Sequence, residues 1–170
     1  MLNFQYQESD QTLKEGLLEF YSINPHFKTL VEKNSPNARV FKEHDYTHVL
    51  FGLGTSIEEE SLLDTYVIWG MKFNWGVIID FYKDPEYKEV IGDIVTKYGG
   101  YWGIFKIYMS LIPLKFKVFL RCLKMKKKWS YHHISEEMLN TSLKELREEY
   151  NIILMPLSDI PINRHTSKSY

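Results

Sequence analysis

Residues 43–60 read EHDYTHVLFGLGTSIEEE, and they predict a helix, a tight turn and a second helix. The apolar residues up to Phe51 recur at helical spacing, and Gly52 is the residue type most often found just after the last turn of a helix. Ser56 followed three residues later by Glu59 is a capping box, which marks a helix start. The stretch therefore predicts two consecutive helices that fold back on each other at a glycine turn.

Similar signals predict helices on both sides of this turn. A chain of 170 residues with 44% hydrophobic and 25% charged residues has the composition of one globular domain. We therefore predict an all-α fold, a single compact domain over residues 1–170 with about six helices, a core over 12–157 and a loosely ordered tail over 158–170. The predicted helices cover 12–21, 25–31, 39–51, 56–82, 84–99 and 135–150.

Charge and cysteine content narrow the classes of function. Lysine and arginine number 21 against 22 acidic residues, so the overall charge does not favour nucleic acid as a partner. The single cysteine, Cys122, cannot form an internal disulfide, which is typical of a reducing compartment.

The apolar stretches are too short or too charged to cross a membrane. The most apolar one, residues 101–123, contains Pro113 and four basic residues, whereas a membrane span needs about 20 nearly uncharged residues. The first ten residues include Glu8 and Asp10 and no lysine or arginine, unlike a secretory signal or a transit peptide. We therefore expect a cytoplasmic protein that lies at most at the periphery of a membrane.

Two histidines and an aspartate share one face of the first predicted helix in the quoted stretch. His44 and His48 differ by about 40° around the helix axis, and Asp45 lies about 60° from His48. The glycine turn brings the start of the next helix close, where any one of three consecutive glutamates, residues 58–60, can supply a fourth ligand. Two imidazoles and two carboxylates suit zinc, iron or manganese, so a divalent metal cofactor is predicted.

The same residues allow three other interpretations. The simplest is that the histidines are ordinary surface or core residues and that the glutamates only complement the helix dipole. A zincin protease needs glutamate at the position of Asp45, so that motif is not matched. Adjacent His-Asp also marks the HD-domain phosphohydrolases, which would here recruit His26 and Asp80 or Asp93 but would leave His48 and Glu60 without a role.

The pattern H-D-x-x-H followed after eleven residues by E resembles the signature of the coenzyme Q biosynthesis protein four family. It is formed here by His44, Asp45, His48 and Glu60. The segments HVLFGLGT (48–55) and LREEYNI (146–152) also resemble that family, and the similarity extends over roughly residues 12–157.

This resemblance implies an all-α protein that holds a divalent metal through those four residues. It further implies a polyprenylated ring precursor of ubiquinone, or a related isoprenoid lipid, as the ligand. The implied activity is oxidative decarboxylation, in which a hydroxyl replaces the ring carboxylate. The alternative is a non-catalytic scaffold that binds the lipid and other quinone-biosynthesis proteins.

Residues 101–129 combine eight basic residues with many aromatic ones and contain no acid. Such a segment is typical of a surface that lies on an anionic membrane, where a long prenyl chain is found. The alternative is a core helix followed by a solvated basic face. The predicted membrane or lipid contacts are Trp102, Lys106, Lys115, Lys117 and Arg121.

Overall fold

The computed structural model describes residues 1–32, 38–72, 76, 92, 94–131 and 133–161, and most of these are helical. The predicted all-α class is confirmed, and two short parallel strands are the only addition within that described part. The helices are α1 (Leu13–Ile23), α2 (Pro25–Glu32), α3 (Ala38–Phe51), α4 (Ile57–Gly70), α5 (Gly100–Ser110), α6 (Ile112–Leu123), α7 (Glu136–Asn140) and α8 (Leu143–Tyr150); the strands are β1 (Met71–Lys72) and β2 (Trp129–Ser130).

The turn between α3 and α4 forms as its glycine and capping residues predict. Gly52 adopts φ 67°, a left-handed conformation that costs glycine little. The N–H groups of Gly52 and Leu53 then donate to the carbonyl oxygens of Val49 and His48 at 3.3 and 3.0 Å, which is the Schellman pattern at a helix end. Leu53 is fully buried, so the chain enters α4 from the core.

Helix α1 crosses α3 at very short distance. Its N-terminus is a capping box in which Thr12 and Glu15 satisfy each other's backbone N–H groups. A Cβ at Gly16 would lie 2.5 Å from Cγ1 of Val49, so only glycine allows this approach. The crossing places Phe20 and Tyr21 of α1 against the face of α3 that carries the two histidines.

The predicted helix over 56–82 is wrong at Met71 and Lys72. Met71 and Lys72 are extended and form β1, in which Met71 pairs with Trp129 and the carbonyl of Lys72 accepts a hydrogen bond from Tyr131. This pairing competes successfully with helical hydrogen bonds, and the local pattern of apolar residues does not reveal it. Apart from Gly76, the rest of that predicted helix lies outside the described residues.

The predicted helix over 135–150 is interrupted after Asn140. Thr141 is extended, and Ser142 is the N-cap of α8, where it forms a further capping box with Glu145. The backbone at Thr141 and Leu143 pairs with the segment before α1, which removes it from the helix. The single helix predicted here is therefore two helices, α7 and α8.

Two other predicted features are only partly described. Of the helix predicted over 84–99, residues 94–97 are helical and the chain leaves the helix before Gly99, while most of the remainder lies outside the described residues. Of the tail predicted over 158–170, Ser158 and Asp159 belong to a short 3-10 helix and Ile160 is buried. Residues 162–170 are outside the described part.

Helices α5 and α6 form a hairpin that packs along α4. Leu111 at the bend and Val118 of α6 are fully buried, whereas α5 contains no buried residue. Large apolar side chains of the hairpin remain exposed on its outer face. Among the described residues, the helices lack the length and hydropathy needed to cross a bilayer.

Candidate metal centre

The turn between α3 and α4 brings three of the predicted ligands together. His44 and His48 lie one turn apart on α3, and Glu60 lies in the first turn of α4. Nε2 of His44 is 3.6 Å from Oε2 of Glu60, and Nε2 of His48 is 3.4 Å from Oε1 of the same carboxylate. One ligand atom of each residue lies within 4.8 Å of the other two, so this group could hold a metal ion.

The group is buried on one side and open on the other. The side chain of His48 has no exposed surface, and its ring stacks on Phe20 of α1 with centroids 5.0 Å apart. The ring of His44 meets that of His48 edge to face at 4.9 Å. His44 and Glu60 keep 31% and 29% of their side chains exposed. A cation or small ligand can therefore approach from the side of His44 and Glu60.

His48 has the properties of a neutral imidazole ligand. Burial lowers its pKa to about 4, although the charge of Glu60 and nearby backbone groups oppose the shift. Neither of its ring nitrogens completes a hydrogen bond with the described residues. A buried nitrogen without a partner costs about 1–3 kcal/mol, and a metal that accepts its lone pair removes that cost.

Glu60 and His44 favour each other's charged forms. Burial raises the pKa of Glu60, but the charge of His48 and the hydrogen bond and charge of His44 outweigh it, so the pKa is lowered. Burial likewise lowers the pKa of His44, and the hydrogen bond and charge of Glu60 reverse the shift. Glu60 is thus an ionised carboxylate that points at two imidazoles, the state that a metal ligand requires.

The two neighbouring glutamates, Glu58 and Glu59, are not part of the group that His44, His48 and Glu60 form. The carboxylate of Glu59 accepts hydrogen bonds from Ser56 and from the N–H of Gly54, at 2.8 Å in each case, and so completes the capping box of α4. Glu58 is buried and is not part of the group. Spacing alone left three glutamates open, and the structure places Glu60 beside the histidines.

Asp45, the fourth predicted ligand, lies buried next to the group and is not one of the three residues that meet. Its Oδ2 accepts a hydrogen bond of 2.9 Å from the hydroxyl of Tyr21, and its Oδ1 has no hydrogen-bond partner among the described residues. Burial raises the pKa of Asp45 to about 6, against the opposing effects of His44 and Tyr21. Sequence analysis did not foresee Tyr21, whose contact spans 24 residues.

Asp64 is a further carboxylate that sequence analysis missed. It follows Glu60 by one turn of α4, and the hydroxyl of Tyr108 on α5 donates to its Oδ2 at 3.3 Å. Burial and the charge of Glu60 raise the pKa of Asp64, while His44, Tyr108 and Lys115 act in the opposite direction. The spacing of four residues between Glu60 and Asp64 is the sequence signal that was available.

Three predicted lipid contacts lie on the outer surface of the α5–α6 hairpin. Trp102 is 65% exposed, and its ring stacks on Phe105 at 5.2 Å. Lys106 is exposed with its Nζ 5.6 Å from the centre of the Trp102 ring. Lys117 is exposed and forms an ion pair of 3.5 Å with Asp159.

The other two predicted contacts, Lys115 and Arg121, make contacts within the protein. Nζ of Lys115 lies 4.1 Å from the centre of the Tyr108 ring. The guanidinium of Arg121 donates to the carbonyl oxygen of Leu154.

Of the further residues that an HD-domain phosphohydrolase would need, the structure describes only His26. His26 is exposed on α2 and does not belong to the His44 group. Asp80 and Asp93 lie outside the described residues.

Comparison with models of protein families, with curated proteins and with solved structures gave no match for this chain.

Proposed function

We propose that this protein binds a divalent metal through His44, His48 and Glu60, with Asp45 as the fourth ligand. The observation that carries the proposal is the convergence of two imidazoles and one ionised carboxylate within 4.8 Å. The buried Oδ1 of Asp45, which has no hydrogen-bond partner among the described residues, supports its inclusion, since a cation would satisfy that oxygen. The simpler interpretation, that the histidines are ordinary surface or core residues, does not account for buried His48, neither ring nitrogen of which has a hydrogen-bond partner among the described residues.

The donor set favours iron or manganese over a closed structural zinc site. With Asp45 the set is two imidazoles and two carboxylates, and octahedral iron or manganese with four protein ligands keeps coordination positions open. Structural zinc sites instead use four ligands in a tetrahedral arrangement and are closed. The exposure of His44 and Glu60 leaves room for further ligands on one side of the group.

We propose that the ligand is a polyprenylated hydroxybenzoate or a related isoprenoid ring compound, and that the reaction is its oxidative decarboxylation. The proposal rests on the H-D-x-x-H-x11-E spacing together with the convergence of its histidines and glutamate. When bound, a redox-active metal would supply the activation of dioxygen. One oxygen atom enters the ring and the other leaves as water, while the carboxylate leaves as carbon dioxide. The step needs two electrons from an external reductant and three protons, two for the water and one for the new ring hydroxyl.

The outer face of the α5–α6 hairpin is the proposed contact with an anionic membrane, from which a prenyl chain is collected. Its exposed apolar side chains and exposed lysines, such as Lys106, match an interfacial surface. The hairpin contacts α4 at Asp64 through Tyr108, so the tail of a ring bound at the metal group can extend towards the hairpin. Large exposed apolar residues of the hairpin are Tyr101, Trp102, Phe105, Met109, Ile112, Phe116, Leu120 and Leu123.

The same face supports a second candidate function, a non-catalytic scaffold that binds the lipid and other quinone-biosynthesis proteins. An exposed apolar surface of this kind also fits protein partners. The two functions differ in turnover, because a scaffold binds the ring compound and releases no carbon dioxide.

Metal content and turnover test the proposal. Protein purified without added metal and then reconstituted with ferrous iron, manganese or zinc is expected to hold about one ion per chain by elemental analysis. His44→Ala and Glu60→Ala are each expected to lower this content at least tenfold, while His26→Ala, which removes an exposed histidine on α2, leaves it unchanged. Unchanged content in both site variants would overturn the metal assignment. Release of carbon dioxide from carboxyl-labelled prenylated hydroxybenzoate separates the enzyme from the scaffold.

A further inference from the structure

The lysines of the α5–α6 hairpin differ in their partners. Lys117 pairs with Asp159, and Lys127, which follows the hairpin, pairs with Glu149. Lys115 is half-buried on α6 and forms no ion pair with the described residues. A half-buried ammonium that has no ion pair in the described part of the chain loses hydration, and the charge of Asp64 compensates only part of this loss, so the position favours an anion.

The immediate surroundings of Lys115 define how it is held. Its Nζ lies over the ring of Tyr108 at 4.1 Å from the centre, a cation–π contact that fixes the ammonium without neutralising it. The hydroxyl of the same tyrosine donates to Asp64, which turns the ring so that its face meets the lysine. Burial lowers the pKa of Lys115 and the charge of Asp64 opposes this, which places the ammonium in a poorly solvated position.

This arrangement lies close to the metal group. Asp64 follows Glu60 by four residues, about 6 Å along the axis of α4. Tyr108 and Lys115 reach that position from the hairpin, whose outer face carries the exposed aromatic side chains. The ammonium and the metal group therefore lie at neighbouring turns of α4, and the charges of Glu60, His44 and Lys115 all act on Asp64 between them.

We propose that Lys115, supported by Tyr108, is the subsite that binds the carboxylate of an aromatic acid and so orients the ring towards the metal group. The subsite rests on the proposed function, because it assigns the carboxylate of the ring precursor to a particular residue. It predicts that the protein distinguishes a ring acid from the same ring without its carboxylate. Asp64, whose oxygen is occupied by Tyr108, positions that ring and does not touch the ligand.

A pair of soluble probes tests the subsite. 3-Geranyl-4-hydroxybenzoate and 2-geranylphenol share the ring and the tail and differ in the carboxylate. Metal-loaded wild-type protein is expected to bind the acid at least tenfold more tightly than the phenol, as measured by calorimetry. Lys115→Gln is expected to weaken binding of the acid at least tenfold and to leave binding of the phenol within twofold, while Lys115→Arg retains part of the preference.

Lys144→Gln is the matched control, since it removes a lysine that already has a carboxylate partner, Glu8, and lies on α8, outside the hairpin. It is expected to change neither affinity. Equal affinity of wild-type protein for the two probes, or an equal loss for both in Lys115→Gln, overturns the subsite and leaves the proposed function in place. Failure of wild-type protein to bind either probe overturns the proposed function and the subsite with it. Binding of the acid is also measured with vesicles present. If phosphatidylglycerol vesicles abolish it and phosphatidylcholine vesicles do not, the ammonium binds lipid phosphate and the proposal is overturned.

Discussion

The guanidinium of Arg147 donates a hydrogen bond of 2.9 Å to the carbonyl oxygen of Val49, 98 residues earlier in the chain and next to His48. Arg147 is fully buried, and it also donates to the carbonyls of Leu50, Phe4 and Tyr6 at 2.9, 2.6 and 2.6 Å. A positive charge at the last carbonyls of a helix also complements the helix dipole. The helix α8 thereby fixes the end of the helix that carries the histidines.

Arg147→Met is expected to destabilise the protein by about 4 kcal/mol, because it leaves several buried carbonyl oxygens without a donor. Arg147→Lys is expected to cost about 2 kcal/mol, since an ammonium has three donors in place of the planar five. Urea unfolding monitored by circular dichroism measures both values. Lys144→Met, which removes an exposed ion pair with Glu8 from the same helix, is the control and is expected to cost less than about 1 kcal/mol. Equal costs for the Arg147 and Lys144 variants would show that the buried hydrogen bonds contribute little.

Local chemistry is what the sequence predicts well. The capping boxes at Thr12 and Ser56 and the glycine after Phe51 involve residues three or four apart, so their signals can be read from the sequence. They set the bounds of α1, α3 and α4 at the site and hence the position of Glu60 relative to the two histidines. Because His44 and His48 lie four residues apart on one helix, the sequence also predicts that their side chains share one face.

Contacts between distant segments are what the sequence does not predict. The hydrogen bonds from Tyr21 to Asp45, from Tyr108 to Asp64 and from Arg147 to Val49 join residues 24, 44 and 98 positions apart. The end of α4 has the same cause, because β1 forms only when β2 packs beside it. Such pairings depend on the whole arrangement of helices, and no period or motif encodes them.

Glu59 and Glu60 are adjacent, but we expect their substitution to change different properties, stability for Glu59 and metal content for Glu60. Glu60→Gln removes the ionised carboxylate from the histidine group and is expected to lower metal content at least tenfold, with a change of less than about 1 kcal/mol in stability. Glu59→Gln keeps the metal but weakens the capping box that Glu59 forms with Ser56 and Gly54, at a cost of about 1 kcal/mol. Elemental analysis and urea unfolding of the two variants separate these effects. Equal metal loss in both variants would contradict the assignment of Glu60.

Tyr21→Phe tests whether Asp45 is a ligand. The variant removes the hydrogen bond to Oδ2 of Asp45 and keeps the ring in place. If Asp45 binds the metal, its loss of orientation is expected to weaken metal affinity about tenfold. Tyr66→Phe removes a comparable buried hydrogen bond, to the carbonyl of Ile153, and is expected to leave metal affinity unchanged. Competition with a fluorescent chelator measures the metal affinity of both variants. If Tyr21→Phe binds the metal as tightly as Tyr66→Phe does, Asp45 is excluded from the ligand set.

Stability of the metal-free protein is expected to depend on pH through two opposing residues. The lowered pKa of His48, about 4, means that the unfolded chain binds the extra proton first, so stability is lost as the pH falls from about 6.5 to about 4. The raised pKa of Asp45, about 6, means that the folded protein binds its proton first, so stability is gained as the pH falls from about 6 to about 4. The two contributions largely cancel in the wild type.

Asp45→Asn removes the second contribution and is expected to reveal the first. Between pH 6.5 and pH 4.5 the variant is expected to lose about 2 kcal/mol more stability than the wild type, measured by urea unfolding with a chelator present. His44 and Glu60 are present in both proteins, so most of their contribution to the pH dependence of stability cancels when the two profiles are subtracted. Parallel profiles for the two proteins would contradict the assigned shifts.

Membrane binding is expected to depend on the outer face of the hairpin and not on exposed apolar residues in general. Trp102 and Phe116 are 65% and 58% exposed, and burial of such side chains in a bilayer interface is worth about 1.5–3 kcal/mol each. The double variant Trp102→Ser, Phe116→Ser is therefore expected to reduce binding to phosphatidylglycerol vesicles at least tenfold in a pelleting assay at low salt. The control is Leu18→Ser, Ile23→Ser, which removes apolar side chains of 58% and 52% exposure from α1 and is expected to bind as wild type. Equal loss in both double variants would show that membrane binding does not select the hairpin, and a wild type that stays in the supernatant would remove the membrane from the proposal.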